Sequence, residues 1–324
     1  MWFEGPTVID SQNTIFKPIL MDNMTSRGPI RDLEIGEVLS QDEVEATFDT
    51  NFGYQFKGIT HRNPSDGRYV ILNSNEGAIY NDEFISETEL TYDGEGDPKK
   101  GNQILTNANR AMVNAVDEEI PIYLFTSEDG LDEYEYEGLV EVTDARYEYE
   151  SSEGRMKYKF DLRKLGVATW GEYLDVANEV NKDPEQPSTD SPEREEVSRL
   201  VRSAAFKRKV RSAYDGVCAL CGSVRQSPTG NPEIEAAHIY PKSEGGRDIV
   251  SNGIGLCKLH HWAFDVGWLA VSEDYEVIVG ETDNVATPND FSNLEGRKVN
   301  LPSDEEENPA ERFLRKHRKL HGFE

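Results

Sequence analysis

From residue 1 to about 165, apolar positions come in short runs of β-branched and aromatic residues separated by turn formers. GYQFKGITH, RYVILNS, PIYLFTS, YEYEGLVEVTDARYEYE and MKYKFDLRKL all have strand-like spacing. One stretch departs from this pattern. NQILTNANRAMVNAVDEE places Ile104, Leu105, Ala108, Met112 and Val116 on a helical repeat. The pattern predicts a β-rich domain interrupted by one helix. After Leu165 it changes. WGEYLDVANEVN reads as a helix, and KDPEQPSTDSPEREE, rich in Pro, Ser, Thr and acid, reads as a linker or turn. A longer helix is expected from about Pro192 to Tyr214, with Ser191 as its N-cap and proline in its first position. The chain ends in an acidic spacer followed by a basic amphipathic helix. The expected class is α+β, in three parts: residues 1–165, a helical linker over 166–214 that could also pair two copies, and residues 215–324.

Charge alters this picture. The chain has 62 acidic and 34 basic residues, a net of −28. A surface this acidic suits a solvated protein in a high-salt host and argues against general nucleic-acid affinity. The basic residues are not evenly spread, however. Arg199, Arg202, Lys207, Arg208, Lys209 and Arg211 crowd the predicted long helix, and Arg312, Arg315, Lys316, Arg318 and Lys319 crowd the last one. These two runs are the natural contacts for a phosphate backbone. No run approaches the ~18 apolar residues that span a bilayer, and MWFEGPTVIDSQ lacks the basic start and apolar core of a secretory signal. A soluble cytoplasmic protein with no membrane association is expected.

All 3 cysteines fall in a short interval, as C218-x2-C221 and C257. Cys257 opens CKLHH, so C257-x2-H260 makes a second short-spaced pair. Two such pairs are what a tetrahedral Zn²⁺ site needs, and Cys218, Cys221, Cys257 and His260 form a Cys₃His set. His261 is left over. Neighbouring side chains on a helix point about 100° apart, so His261 is expected to serve a different site.

Between the pairs lie AHIYPKSEGG and SNGIGLC, followed by HHWAFDVG. The order His238, Asn252, His261 resembles the HNH nucleases of ββα-metal fold, over residues 212 to 275. The resemblance implies His238 as general base, His261 as ligand of a catalytic Mg²⁺ or Mn²⁺, and Asn252 as a residue that orients His238 or supports the site. Histidine suits the base because it titrates near neutrality, and the ion would stabilise charge on the phosphate. Many members carry Asp or His just before the base. Ala237 stands there, so Glu235 or Asp265 is expected as the second ligand.

LTYDGEGDPKKGNQILTNANRAM, with GAIYNDEF upstream, resembles the SRA or YDG module over residues 33 to 145. The matching residues are Tyr92–Gly96 for the turn and Asn107, Asn109, Arg110 and Ala111 for the helix. The resemblance implies a PUA-type β-rich domain that flips a modified cytosine from duplex DNA. Tyr80 and Tyr92 would stack on the base, Asp82 (or Glu83) would accept from its amine, and Asp93 would complete the edge contacts. The two resemblances together imply a type IV-like endonuclease acting on duplex DNA with 5-methyl- or 5-hydroxymethylcytosine. A homodimer is expected for cutting both strands, in a prokaryotic or viral, halophilic setting. An HNH nickase or homing-type enzyme without modification sensing, and a non-catalytic reader, remain as alternatives.

Overall fold

The computed structural model describes residues 28–54, 56, 58–63, 68–75, 83–128, 131–181, 192–281 and 286–323. Its amino-terminal half holds β1 (Val38–Leu39), α1 (Gln41–Thr47), β2 (Gly58–Arg62), β3 (Tyr69–Asn75), β4 (Glu83–Phe84), β5 (Glu89–Asp93), α2 (Asn107–Asn114), β6 (Ile122–Ser127), β7 (Tyr134–Glu150) and β8 (Arg155–Lys164). The strands form one sheet in the order β2-β3-β6-β7-β8-β5-β4, with β1 also paired to β7. Among the described residues of this sheet, only the β3–β6 pair is parallel. Strand β7 is long enough to serve two neighbours. Its first part pairs with β6, its second with β8, and the register shifts between Val142 and Asp144.

Side chains alternate between faces, so the unbroken buried runs of the central strands show that both faces are covered. Tyr69, Ile71, Tyr123 and Phe125 fill one face. Val70, Leu72, Ile122 and Leu124 fill the other. Helix α2 covers the second face with Ala108, Ala111 and Met112. It is shorter than the apolar repeat predicts. Thr106 caps it by accepting from the Asn109 amide, so helical backbone starts at Asn107 rather than Asn102. Gln103 and Ile104 lie outside the helix instead, with the Gln103 side chain buried and Ile104 exposed.

The linker helices are α3 (Trp170–Ala177) and α4 (Pro192–Ala213). Thr169 and Glu172 close a capping box on α3. Ser191, the expected cap of α4, lies outside the described residues. Helix α4 is not a free spacer. Val201, Ala204, Ala205, Phe206 and Val210 are buried in the cluster that also holds Trp170 and Tyr173 of α3 and Ile254 and Leu256 of the carboxyl-terminal half.

That half holds β9 (Glu235–His238), β10 (Gly253–Leu256), α5 (Lys258–Asp265), β11 (Leu269–Val271), β12 (Val277–Val279), α6 (Asn289–Ser292) and α7 (Glu311–Leu320). β9 and β10 pair antiparallel, His238 opposite Gly253 and Ala236 opposite Gly255. The two glycines let α4 lie flat on this ribbon. A Cβ at Gly253 would sit 2.3 Å from Val210, and one at Gly255 2.7 Å from Tyr214. Glu235 and Ala237 take the alternate positions on β9, and Glu235 reaches His261 of α5. The architecture is mixed α+β, with a β-rich first domain and a small ββα unit in the second.

Candidate active site

The two histidines of CKLHH part company. Cys257 caps α5 and His260 lies in its first turn. The His260 Nδ1 atom is 3.2 Å from the Cys257 sulfur and 3.5 Å from that of Cys218. The ligand atoms of Cys218, Cys221, Cys257 and His260 all lie within 4.8 Å of one another. That is the spacing of ligands around one tetrahedral ion with bonds of about 2.0–2.3 Å, so the four residues fit a metal. The turn carrying Cys218 and Cys221 is closed by Gly222 N–H donating to the Cys218 carbonyl. Asn300 donates to the carbonyls of Cys218 and Ala219 from the other side.

His261 turns away to an acidic locus. Its Nδ1 is 2.7 Å from Glu235 Oε2, and its Nε2 is 3.4 Å from Asp265 Oδ2. The hydrogen bond to Glu235 raises the His261 pKa against the opposing effect of burial, and the same bond lowers that of Glu235. Asp265 moves the other way. Burial raises its pKa, although the charges of His261, His321 and His238 oppose the shift. Two hard carboxylates beside a borderline imidazole form a donor set suited to a divalent cation. Ala237 is fully buried and offers no ligand. Glu235, on the same face of β9, is the carboxylate that meets His261.

His238 ends β9. Its Nε2 lies 2.8 Å from Asp248 Oδ1, and Asp248 Oδ2 accepts from Lys242 at 2.6 Å. Burial works against the Asp248 charge, but the bonds from His238 and Lys242 prevail and hold its carboxyl below the usual range. The ring of His238 stacks on Phe206 of α4, centroids 4.1 Å apart and planes at 19°. The Asn252 side chain spends its hydrogen bonds on backbone groups, not on the imidazole. It is fully buried, accepts from Tyr240 N–H, and donates to the carbonyls of Tyr240 and Arg247. It therefore fixes the loop from which Asp248 projects. Asp248 escaped the sequence reading because it belongs to no short-spaced pair. Its stretch, SEGGRD, also holds Glu244, and nothing local distinguishes the two acids.

In the first domain, Tyr80 and Asp82 lie outside the described residues, and Glu83 stands on β4 opposite Thr91. Tyr92 does not present a stacking face here. Its ring is fully buried and its hydroxyl donates to the Asn73 carbonyl at 2.8 Å. Asp93 is likewise no open edge contact, because it forms a buried ion pair with Lys157. The turn these residues enter is tightly held. Asn109 accepts from Glu95 N–H and donates to the carbonyls of Glu95 and Ile104. Gln103 donates to the Gly94 carbonyl and accepts from Tyr158 N–H. A Cβ at Gly94 would come within 2.7 Å of Tyr158, so the turn requires glycine there.

The basic run on α4 divides. Arg199 and Lys207 are exposed and Arg202 is half-buried. Arg208 is buried and donates to the Tyr173 hydroxyl, Lys209 donates to the Ala177 carbonyl, and Arg211 pairs with Asp117 of the first domain. Arg208 and Lys209 tie α4 to α3 and Arg211 ties it to the first domain, which corrects their expected role as phosphate contacts. In α7, Arg318 is also buried, on the Val271 carbonyl. A cleft of about 840 Å³ opens between the domains, lined by Lys207, Arg211, Lys258, Glu235 and His261 on one side and Asp144 on the other.

Residues 26–166 match the family model of the SAD/SRA domain, and residues 218–272 that of an HNH endonuclease. The chain carries an SAD/SRA domain and an HNH endonuclease domain. The whole two-domain fold is similar to a solved structure described as the modification-dependent TagI restriction endonuclease. The identity is 21%, covering 90% of this chain and 94% of that one, with a TM-score of 0.52. The SRA domain of SUVH5 in complex with fully methylated CG DNA matches 44% of the chain and 95% of its own length at 25% identity, with a TM-score of 0.36. No curated protein matches the chain. Among the described residues, no helix is long and apolar enough to cross a membrane.

Proposed function

We propose that the chain is a modification-dependent DNA endonuclease, in which the SAD/SRA domain reads 5-methyl- or 5-hydroxymethylcytosine in duplex DNA and the HNH domain hydrolyses a phosphodiester bond. One observation carries the catalytic half. Within a single ββα unit, His260 is withdrawn into the thiol cluster, while His261 and His238 each meet a carboxylate. That divergence of adjacent residues supports a structural site on one side and a reacting site on the other.

Cys218, Cys221, Cys257 and His260 would hold Zn²⁺ as a structural staple. His261, with Glu235 and Asp265, would hold Mg²⁺ or Mn²⁺, which when bound supplies Lewis-acid stabilisation of the phosphate charge. His238 accepts the proton of the attacking water as its oxygen bonds to phosphorus. The bond from phosphorus to the leaving 3′-oxygen breaks, and that oxygen takes up a proton from solvent water. Lys207 and Lys258, at the mouth of the cleft, would meet the strand's phosphates. In the reading domain, Tyr80 and Asp82 are assigned to the flipped base, with Tyr92 and Asp93 shaping the turn behind it. One site per chain cuts one strand, so a double-strand break calls for two copies. The acidic surface fits a halophilic host, and activity should then rise toward molar salt.

The test is cleavage of plasmids carrying cytosine, 5-methylcytosine or 5-hydroxymethylcytosine, with Mg²⁺ or Mn²⁺, by the wild-type chain and by His238→Ala. Cutting confined to a modified plasmid and abolished in the variant is expected. Equal cutting of all three plasmids removes the reading function, and unchanged cutting by His238→Ala removes the base.

A further inference from the structure

We propose that Asp248 is a positioning residue for the general base, holding His238 so that Nδ1, not Nε2, takes the proton from water. The inference rests on His238 being the base, as argued above. Three contacts fix the imidazole. Asp248, with its side chain 6% exposed, meets Nε2 at 2.8 Å. Lys242 holds the other oxygen of that carboxylate at 2.6 Å and stops it from rotating. Phe206 stacks on the ring face and sets its plane.

A carboxylate only accepts hydrogen bonds, so Nε2 must carry the hydrogen. In a neutral imidazole the lone pair then sits on Nδ1. The ring is held in one tautomer and one orientation, and Asp248 stabilises the imidazolium that forms when water loses its proton. The logic is that of an Asp–His pair in which the carboxylate never takes the proton itself. Charged groups around the ring are Asp248 and Lys242 on the loop and Asp265 from α5. The loop is in turn fixed by Asn252, so the chain of support runs from Asn252 through Asp248 to His238. Phe206 ties the same ring to α4, whose Arg208 and Lys209 grip α3 beside the reading domain.

Nitrogen-15 NMR of histidine-labelled, metal-loaded, DNA-free protein reads the tautomer directly. The neutral His238 ring should be the Nε2–H form in the wild type, and Asp248→Asn should lose that preference. On cleavable DNA, Asp248→Asn should lower kcat about 10²-fold with KM within about threefold, and Asp248→Glu should recover part of the rate. A wild-type Nδ1–H tautomer overturns the proposal, whether or not any variant folds. So does cutting by Asp248→Asn at or above the wild-type rate, which would make the carboxylate a lock on the base. The tautomer is measured without DNA. Failure of the modification preference therefore leaves this result standing, and failure of the tautomer leaves the preference standing.

Discussion

Two buried asparagines do the same work in the two domains. Asn109 binds both backbone groups of Glu95 and a second carbonyl, that of Ile104. Asn252 binds both backbone groups of Tyr240 and a second carbonyl, that of Arg247. Each uses its amide to replace a missing strand partner and hold an irregular loop. The loops differ in what they present. The loop in the SAD/SRA domain keeps its charge inside, as the Asp93–Lys157 pair, and offers shape. The loop in the HNH domain sets a carboxylate against an imidazole that still has some solvent access. A reader needs a rigid frame, whereas a base needs a proton route.

The largest effect should come from the thiol cluster, which has no counterpart in the first domain. Cys257→Ser, or removal of the metal by a chelator, should withdraw a binding energy of about 10–16 kcal/mol in comparable zinc sites. Hydrogen exchange should then accelerate across residues 215–323 and much less in the β3–β6–β7 strands. His261→Ala should leave the metal bound and the fold intact, with cleavage lost.

Next in size is the buried ion pair of the first domain. Lys157→Met leaves the Asp93 charge buried and uncompensated, a loss of about 3–5 kcal/mol measurable by denaturant melting. Combining it with Asp93→Asn should recover most of that loss, although Glu153 also contacts Lys157. The asparagines test the parallel directly. Asn109→Ala and Asn252→Ala each strand buried backbone groups, at about 2–3 kcal/mol. The first should blunt discrimination between modified and plain DNA, and the second should slow cutting of modified DNA while leaving the discrimination in place.

The effect that vanishes at neutral pH concerns acid. His317 of α7 is buried on the Phe264 ring and carbonyl, and burial pushes its pKa down to about 3. The unfolded imidazole binds a proton below about 6.5, while the folded one does not until about 3. Acid therefore favours unfolding across that window, and stability rises with pH through it. His317→Phe should flatten the pH dependence of the melting temperature between these limits.

What could be read from the sequence was what is local in it. The cysteine and histidine pairs are short-spaced, so one turn and one helix bring them together and their geometry follows from spacing. His260 and His261 separate for the same reason. Tertiary contacts hid the rest. Gln103 is pulled out of the helix by a bond to the Gly94 carbonyl, and Tyr92 is buried by a bond to Asn73. Arg208 looks like a phosphate contact until Tyr173 of α3 packs on it. Asp248 meets His238 only because the loop between them folds back under Asn252.

The central claim is that reading and cutting reside in separate domains. Binding of His238→Ala to matched duplexes with and without 5-methyl- or 5-hydroxymethylcytosine tests it most directly. The variant should bind one modified duplex at least about tenfold more tightly, a difference of about 1.4 kcal/mol, while cutting neither. Equal binding to plain and modified duplexes would contradict the claim.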